Sequence, residues 1–191
     1  MSEAPNNREG LLDLLLPVFR TRGYEGASLA ALADASGRGK ASLYHHFPGG
    51  KSEIVASLIR RCVKELEQQV FAPLHSSPPA IVRLEQCIDG FAAYTEQGKY
   101  NCLLSSLALT TPEQLDPAVN ERFEQWQKQL GETLEDLGLR PKAASHAARS
   151  LLARLYGALV LDRLSASRSN LRQTQKRLKK ELNQIAKQHD K

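Results

Sequence analysis

The chain has 191 residues, 41% of them hydrophobic and 25% charged, and a net charge of +5. That is enough apolar material for one large domain or two small ones. No apolar run reaches the roughly 20 residues that span a bilayer. The opening "MSEAPNNREG" lacks the basic start, apolar stretch and cleavage site of a signal peptide, so a cytoplasmic protein with no membrane partner is expected.

Three cysteines, Cys62, Cys87 and Cys102, are odd in number and widely spaced. That suits neither a disulfide framework nor a paired zinc motif; they read as free thiols, and neither metal nor cofactor is expected. The charge is uneven: +3 over residues 1–64, −4 over 65–167 and +6 over 168–191. Within the first segment Arg38, Lys40, Lys51, Arg60, Arg61 and Lys64 crowd into the second half, a local patch that attracts phosphate.

The predicted elements are helical throughout, with no alternating strand pattern and no internal repeat, so the fold class is all-α. Leu11, Leu12, Leu15, Leu16 and Phe19 recur at helical spacing and Gly23 closes that helix. Pro17 lies inside it and predicts a bend near Asp13–Pro17. Ser28 caps a short helix, Leu29–Ala35; Gly37 turns the chain; a second short helix, Lys40–His46, ends at Pro48, Gly49 and Gly50. A longer helix runs from about Lys51 to Val70. The breaker cluster "APLHSSPP", Ala72–Pro79, marks a domain boundary. Further helices are expected near Ile81–Thr95, Asn101–Leu109, Pro117–Leu137, Lys142–Leu164 and Arg168–Lys187.

The stretch "GRGKASLYHHFPGGK", Gly37–Lys51, gathers glycines, lysines, histidines and aromatics. Its glycines lack the spacing and preceding strand of a phosphate-binding loop. His45 and His46 are adjacent, point about 100° apart on a helix and have no third ligand at a metal-site spacing. No nucleophile elbow is present. Two short helices about a glycine turn remain, as in a helix-turn-helix whose second helix enters the major groove. Leu32, Leu43 and Phe47 then face the core, and Lys40, Ser42, Tyr44 and His45 face outward. By pattern alone, a three-helix domain with no DNA role stands equally open.

The run "FRTRGYEGASLAALADASGRGKASLYHHFPGGK" resembles the N-terminal domain of the TetR family of transcriptional regulators, over about Leu11–Leu58. The wording "HHFPGGK", with "NCLLSSLAL" and "LYGALVLDRLS" further on, is similar to the LmrA- and YxaF-like branch. The resemblance implies a non-enzymatic, DNA-binding regulator with a helix-turn-helix domain (residues 1–51), a connecting helix (52–71) and a ligand-binding and dimerisation domain (80–191). It implies phosphate contacts from Ser28 and Lys51, base-edge contacts from Lys40, Ala41 and Ser42, and phosphate or sugar contacts from Tyr44 and His45. Arg38 is a further basic candidate in the turn. Gly39 stands where the family has a serine or threonine cap, and Ser36 where alanine is common.

The partners implied are palindromic double-stranded operator DNA, a small-molecule effector and a second copy of the chain. Leu151, Leu155, Leu159, Leu171, Leu178, Leu182 and Ile185 are the expected dimer residues, as part of an intersubunit four-helix bundle. Cys87, Phe91, Tyr94, Cys102, Leu103, Leu107, Trp126, Leu130 and Tyr156 are the expected lining of a site for an apolar or aromatic effector. Plain core is the alternative for each of them. The competing functional readings are a thiol-based redox or electrophile sensor acting through Cys87 or Cys102, a thiol- or histidine-dependent enzyme, and a helical interaction module.

Overall fold

The computed structural model describes residues 7–165 and 169–189. Among them the regular elements are helices: α1 (Arg8–Gly26), α2 (Leu29–Ser36), α3 (Lys40–His46), α4 (Gly50–Leu66), α5 (Ala80–Tyr94), α6 (Leu103–Thr110), α7 (Pro117–Asp136), α8 (Pro141–Leu164) and α9 (Asn170–His189). A π-helical segment, Glu67–Phe71, and a 3₁₀ turn, Ala72–His75, follow α4. The all-α expectation holds. The helix start expected at Arg168 lies outside the described residues.

The chain divides into two compact units, one with the described residues up to Val63 together with Tyr100–Asp116, the other with Lys64–Lys99 and the described residues from Pro117 onward. In the first unit α1 packs on α2 and α6. Leu11, Leu15, Phe19, Leu32, Leu43, Phe47, Ile54 and Leu58 are buried in its core. Asn7 caps α1, its Oδ1 accepting from the Gly10 N–H at 2.8 Å. Gly23 closes the regular part of α1, as expected from the sequence: its φ of 67° and ψ of −176° leave the helical range, while Pro17 lies inside the helix. Proline's fixed φ fits a helix and removes only one donor, whereas a positive φ is available at little cost to glycine alone.

In the second unit α7 packs along α8, α8 along α9, and α5 against α7, α9 and the π-helical segment. Gly90 makes that last approach possible: a Cβ there would lie 1.9 Å from the Gln69 carbonyl oxygen. Arg83 links α5 to two neighbours, donating to the Leu74 carbonyl and to the Asp136 carboxylate, each at 2.8 Å. The start of α9 is fixed by Asp162, a carboxylate only 2% exposed. Its Oδ1 accepts from the Asn170 N–H at 2.7 Å and its Oδ2 from the Leu171 N–H at 3.0 Å, so two of the donors that a helix start leaves open are satisfied by a negative charge.

Candidate nucleic-acid interface and effector core

The outward-facing residues of the first unit gather on α3. Ser28 caps α2, its Oγ accepting from the Ala31 N–H at 3.2 Å. The helix then ends on Gly37 at φ 65°, with the Arg38 N–H donating to the Ala33 carbonyl at 3.1 Å. That left-handed turn sets the angle between α2 and α3. Ser36, buried beneath it, donates its hydroxyl to the same carbonyl at 2.9 Å. A helix of seven residues is marginal alone; burial of Leu43 within α3 and of Phe47 immediately after it holds this one. Gly39 provides no side-chain cap, and the first turn closes on backbone alone, with the Ser42 and Leu43 N–H groups donating to the Gly39 carbonyl at 3.0 and 3.3 Å.

Lys40, Ala41, Tyr44 and His45 are exposed along α3, and Ser42 and Arg38 are half-buried. Tyr44, 46% exposed, leans over Gly50: a Cβ there would sit 3.3 Å from the ring. His45 and His46 meet edge-to-face at 5.4 Å. His46 is the more covered, and its carbonyl accepts from Arg8 at 3.4 Å. Lys51 is held rather than free: its Nζ donates to the Tyr24 carbonyl at 2.9 Å and lies 4.1 Å from the centre of the Tyr24 ring. It ties α4 to the end of α1, which places that segment but leaves its charge partly engaged. Beside it Glu53 accepts from the Gly49 N–H at 2.8 Å and from Arg8 at 2.7 Å. The Gly49 hydrogen bond and then the Arg8 guanidinium hold its carboxyl below the usual range.

The residues expected to line an effector site are divided between the units. Cys102, Leu103 and Leu107 are buried in the first, the leucines on α6. Cys87, Phe91, Tyr94, Trp126 and Leu130 are buried in the second, and Tyr156 is half-buried there. Within the second unit the aromatics form a chain. Phe71 stacks on Trp126 at 4.5 Å, Phe123 lies 6.4 Å from both Trp126 and Tyr156, and Tyr156 meets Phe91 edge-on at 5.0 Å. The Trp126 indole N–H donates to the Glu67 carboxylate, in the π-helical segment. All three cysteines are buried. Burial pushes the Cys87 thiol up to about 12, far from the thiolate that redox chemistry requires, and so lends the thiol-sensor reading no support. No cluster of metal-ligating side chains occurs among the described residues.

The expected dimer leucines lie inside the second unit instead of on its surface. Leu151, Leu155, Leu159, Leu171, Leu178 and Leu182 are buried within the single chain, and Ile185 is half-buried. The exposed side of α8 carries Ala153, Gly157, Val160, Leu161 and Leu164, with Leu164 80% exposed.

A family model described as "Bacterial regulatory proteins, tetR family" matches residues 11–58, and one described as "Transcriptional regulator LmrA/YxaF-like, C-terminal domain" matches residues 80–177. The chain belongs to the TetR family. As a TetR-family protein it is a DNA-binding transcriptional regulator and not an enzyme. The HTH-type transcriptional regulator LmrA of Bacillus subtilis (strain 168) is 27% identical over 172 residues, 82% of this chain and 86% of that protein. The uncharacterized HTH-type regulator YxaF of the same organism is 23% identical over 167 residues, 85% and 87% of the two chains. Among solved structures, the TetR-family regulator SCO4454 from Streptomyces coelicolor shares the fold at a TM-score of 0.75 and 18% identity, over 97% of each chain. AibR, solved with isovaleryl coenzyme A and operator DNA, shares it at a TM-score of 0.60 and 18% identity, over 78% of this chain and 85% of that one.

Several residues of this TetR-family chain went unread in the sequence. Phe123 stands at helical spacing from Trp126 and Leu130, but spacing alone does not tie it to the aromatic chain. Phe71 and Glu67 lay near a helix end, and nothing in their spacing signals a π-helical segment. The α8 face escaped because Ala153 and Gly157 are small and interrupt its apolar pattern.

Proposed function

We propose that the chain is a homodimeric, ligand-responsive repressor that releases palindromic operator DNA when a small apolar or aromatic molecule binds the C-terminal domain, residues 80–191. It acts in the cytoplasm, where its DNA lies. The observation that carries the reading is α3: a short helix anchored by Leu43 and followed by buried Phe47, with Lys40, Ala41, Tyr44 and His45 left to solvent inside the matched TetR segment. Ser28, Arg38, Gly39, Ser42 and Lys51 complete the DNA-binding surface of residues 1–51, the uncharged members by placing α2 and α3 against the backbone. AibR, bound to an acyl coenzyme A and an operator, supports joint recognition of DNA and a small molecule on this fold.

The aromatic chain supports the effector class, since Phe91, Trp126 and Tyr156 gather rings with few polar tips. The connecting segment, residues 52–71, is the element through which an effector acts on α3: α4 starts in the first unit and its π-helical continuation bears Phe71 and Glu67, both in contact with Trp126. Binding then favours a different separation of the two recognition helices. The exposed face of α8 supports the dimer, with small residues for close approach and Leu161 and Leu164 to bury. The leucines expected at the dimer core serve as the layer behind that face.

The decisive experiment is binding to the DNA upstream of the protein's own reading frame, with Lys40→Ala as the variant. Loss of discrimination between that DNA and a random duplex is expected; unchanged discrimination sinks the assignment of α3. Trp126 is the single tryptophan, so quenching of its emission reports effector binding directly. Leu161→Glu places a charge on the α8 face and is expected to give a monomer by light scattering; a persistent dimer rejects that face.

A further inference from the structure

We infer that the solvent face of α9 is a second nucleic-acid contact, independent of α3, that binds the phosphate backbone of double-stranded DNA without reading its sequence. Arg172, Lys176, Lys180 and Lys187 are all exposed on α9. At 100° per residue they fall within an arc of about 80°, along roughly 22 Å of helix. Arg172, Lys176 and Lys180 repeat at i, i+4 and i+8, the spacing at which like charges face and repel one another. Arg172 also sits in the first turn, where a cation opposes the helix dipole.

Among the described residues none of the four has an ion-pair partner. Several neighbouring groups are engaged with other helices, while Arg177, also exposed, stands about 60° beyond Lys180. Glu181 is held by both nitrogens of Arg154 on α8, at 2.6 and 2.9 Å. Lys179 donates to Asp89 on α5 at 2.6 Å, and Asn183 to Glu85 at 2.7 Å. So the fold neutralises Lys179 and Glu181 and leaves a repelling row of cations along the outer face of α9. An external polyanion relieves that repulsion.

The surroundings select the polyanion. The apolar side of α9, Leu171, Leu178 and Leu182, is buried within the unit and offers nothing to insert into a bilayer. The stripe is flanked by Gln173, Gln184 and Gln188 and contains Asn183, with no aromatic anchor of the kind that marks protein interfaces. Long flexible cations in a row, with amide side chains beside them, match the phosphates of a duplex, which gains by counterion release. The row lies on the side of α9 away from Glu181, which Arg154 of α8 holds.

The test uses the full chain and a random-sequence 30-base-pair duplex across a potassium chloride series. The four-fold variant Arg172→Gln, Lys176→Gln, Lys180→Gln, Lys187→Gln is compared with wild type and with the charge-keeping set Arg172→Lys, Lys176→Arg, Lys180→Arg, Lys187→Arg. The slope of log affinity against log salt is expected to flatten by about 0.9 for each phosphate that is no longer neutralised, so by about 3 to 4 in the glutamine variant, and to stay put in the charge-keeping set. Lys176→Gln and Lys180→Gln singly, each flattening it by about 0.9, keep the test decisive if the four-fold variant folds poorly. An unchanged slope at unchanged helicity overturns the inference. So does loss of binding to phosphatidylserine vesicles with no change on DNA, which assigns the stripe to a membrane. Failure of the operator reading shows separately, as no preference for upstream over random duplex while the α9 variant still shifts the slope.

Discussion

Two glycines inside helices, Gly90 on α5 and Gly157 on α8, have opposite predicted responses to alanine. Helix propensity alone favours alanine over glycine by about 1 kcal/mol at either position. Within one chain an added Cβ at Gly157 meets nothing within 4 Å, so in the monomeric Leu161→Glu background that gain stands and Gly157→Ala stabilises the chain by up to about 1 kcal/mol. At Gly90 the Cβ would lie 1.9 Å from the Gln69 carbonyl oxygen and 3.2 Å from the Val70 Cα. Both neighbours are backbone, so no side-chain rotation relieves the overlap. Ordinary contact begins near 3.4 Å, which requires α5 and the π-helical segment to part by roughly 1.5 Å. Parting them loosens Val70 and Phe71, both buried at that seam. With backbone on both sides of the overlap the cost lies at the upper end of the roughly 1–3 kcal/mol of overpacking and outweighs the propensity gain, for a net loss of about 2 kcal/mol. Urea denaturation followed by circular dichroism at one protein concentration separates the two, since dimerisation makes the midpoint concentration-dependent. If Gly90→Ala stabilises as Gly157→Ala does, the close approach of α5 to the π-helical segment is wrong.

Two further outcomes follow from groups already placed. Asp162→Ala leaves the Asn170 and Leu171 N–H groups without their carboxylate, and about 2–4 kcal/mol of stability is expected to go with it; a loss below about 0.5 kcal/mol in the same assay rejects the cap. Glu53 has a carboxyl held below its ordinary value of 4.5, so it stabilises the folded state above that pH and loses this effect as the pH falls through the lowered value. The wild type is therefore expected to exceed Glu53→Gln in thermal midpoint at pH 7 and the gap to close as the pH falls below 4.5; a gap that widens on acidification reverses the sign and refutes the assignment.

Helix order was legible because it rests on local periodicity. The recurrence of Leu11, Leu15 and Phe19, and of Trp126, Leu130 and Leu134, states a buried stripe without reference to any partner. The turn at Gly37 was legible for the same reason, since a positive φ leaves a glycine in the sequence. The surface of the second unit was the least legible part. A leucine at helical spacing states that a face is buried, not whether its own chain or a second copy covers it. Leu171, Leu178 and Leu182 are buried by their own unit. Lys51 shows the same limit for charge: its position in the motif says phosphate, while its contact with Tyr24 exists only in the fold.

The two proposed DNA contacts divide a physical task. Gly39 gives α3 no side-chain cap, and Leu43 is its one buried residue, so the reading helix owes its order to that leucine, to the following Phe47 and to the Gly37 turn. Such a helix can adjust to base edges, but it carries few cations: Lys40 lies on it and Arg38 just before, while Lys51 is partly engaged by Tyr24. Phosphate contacts supply most of the affinity of non-specific binding and much of the association rate. A chain that reads with so few charges gains from a separate cationic row for encounter with the duplex. The α9 stripe has that character, because its four cations sit on a rigid helix fixed at its start by Asp162. Specificity then belongs to α3 and salt sensitivity largely to α9, and the two respond to different substitutions.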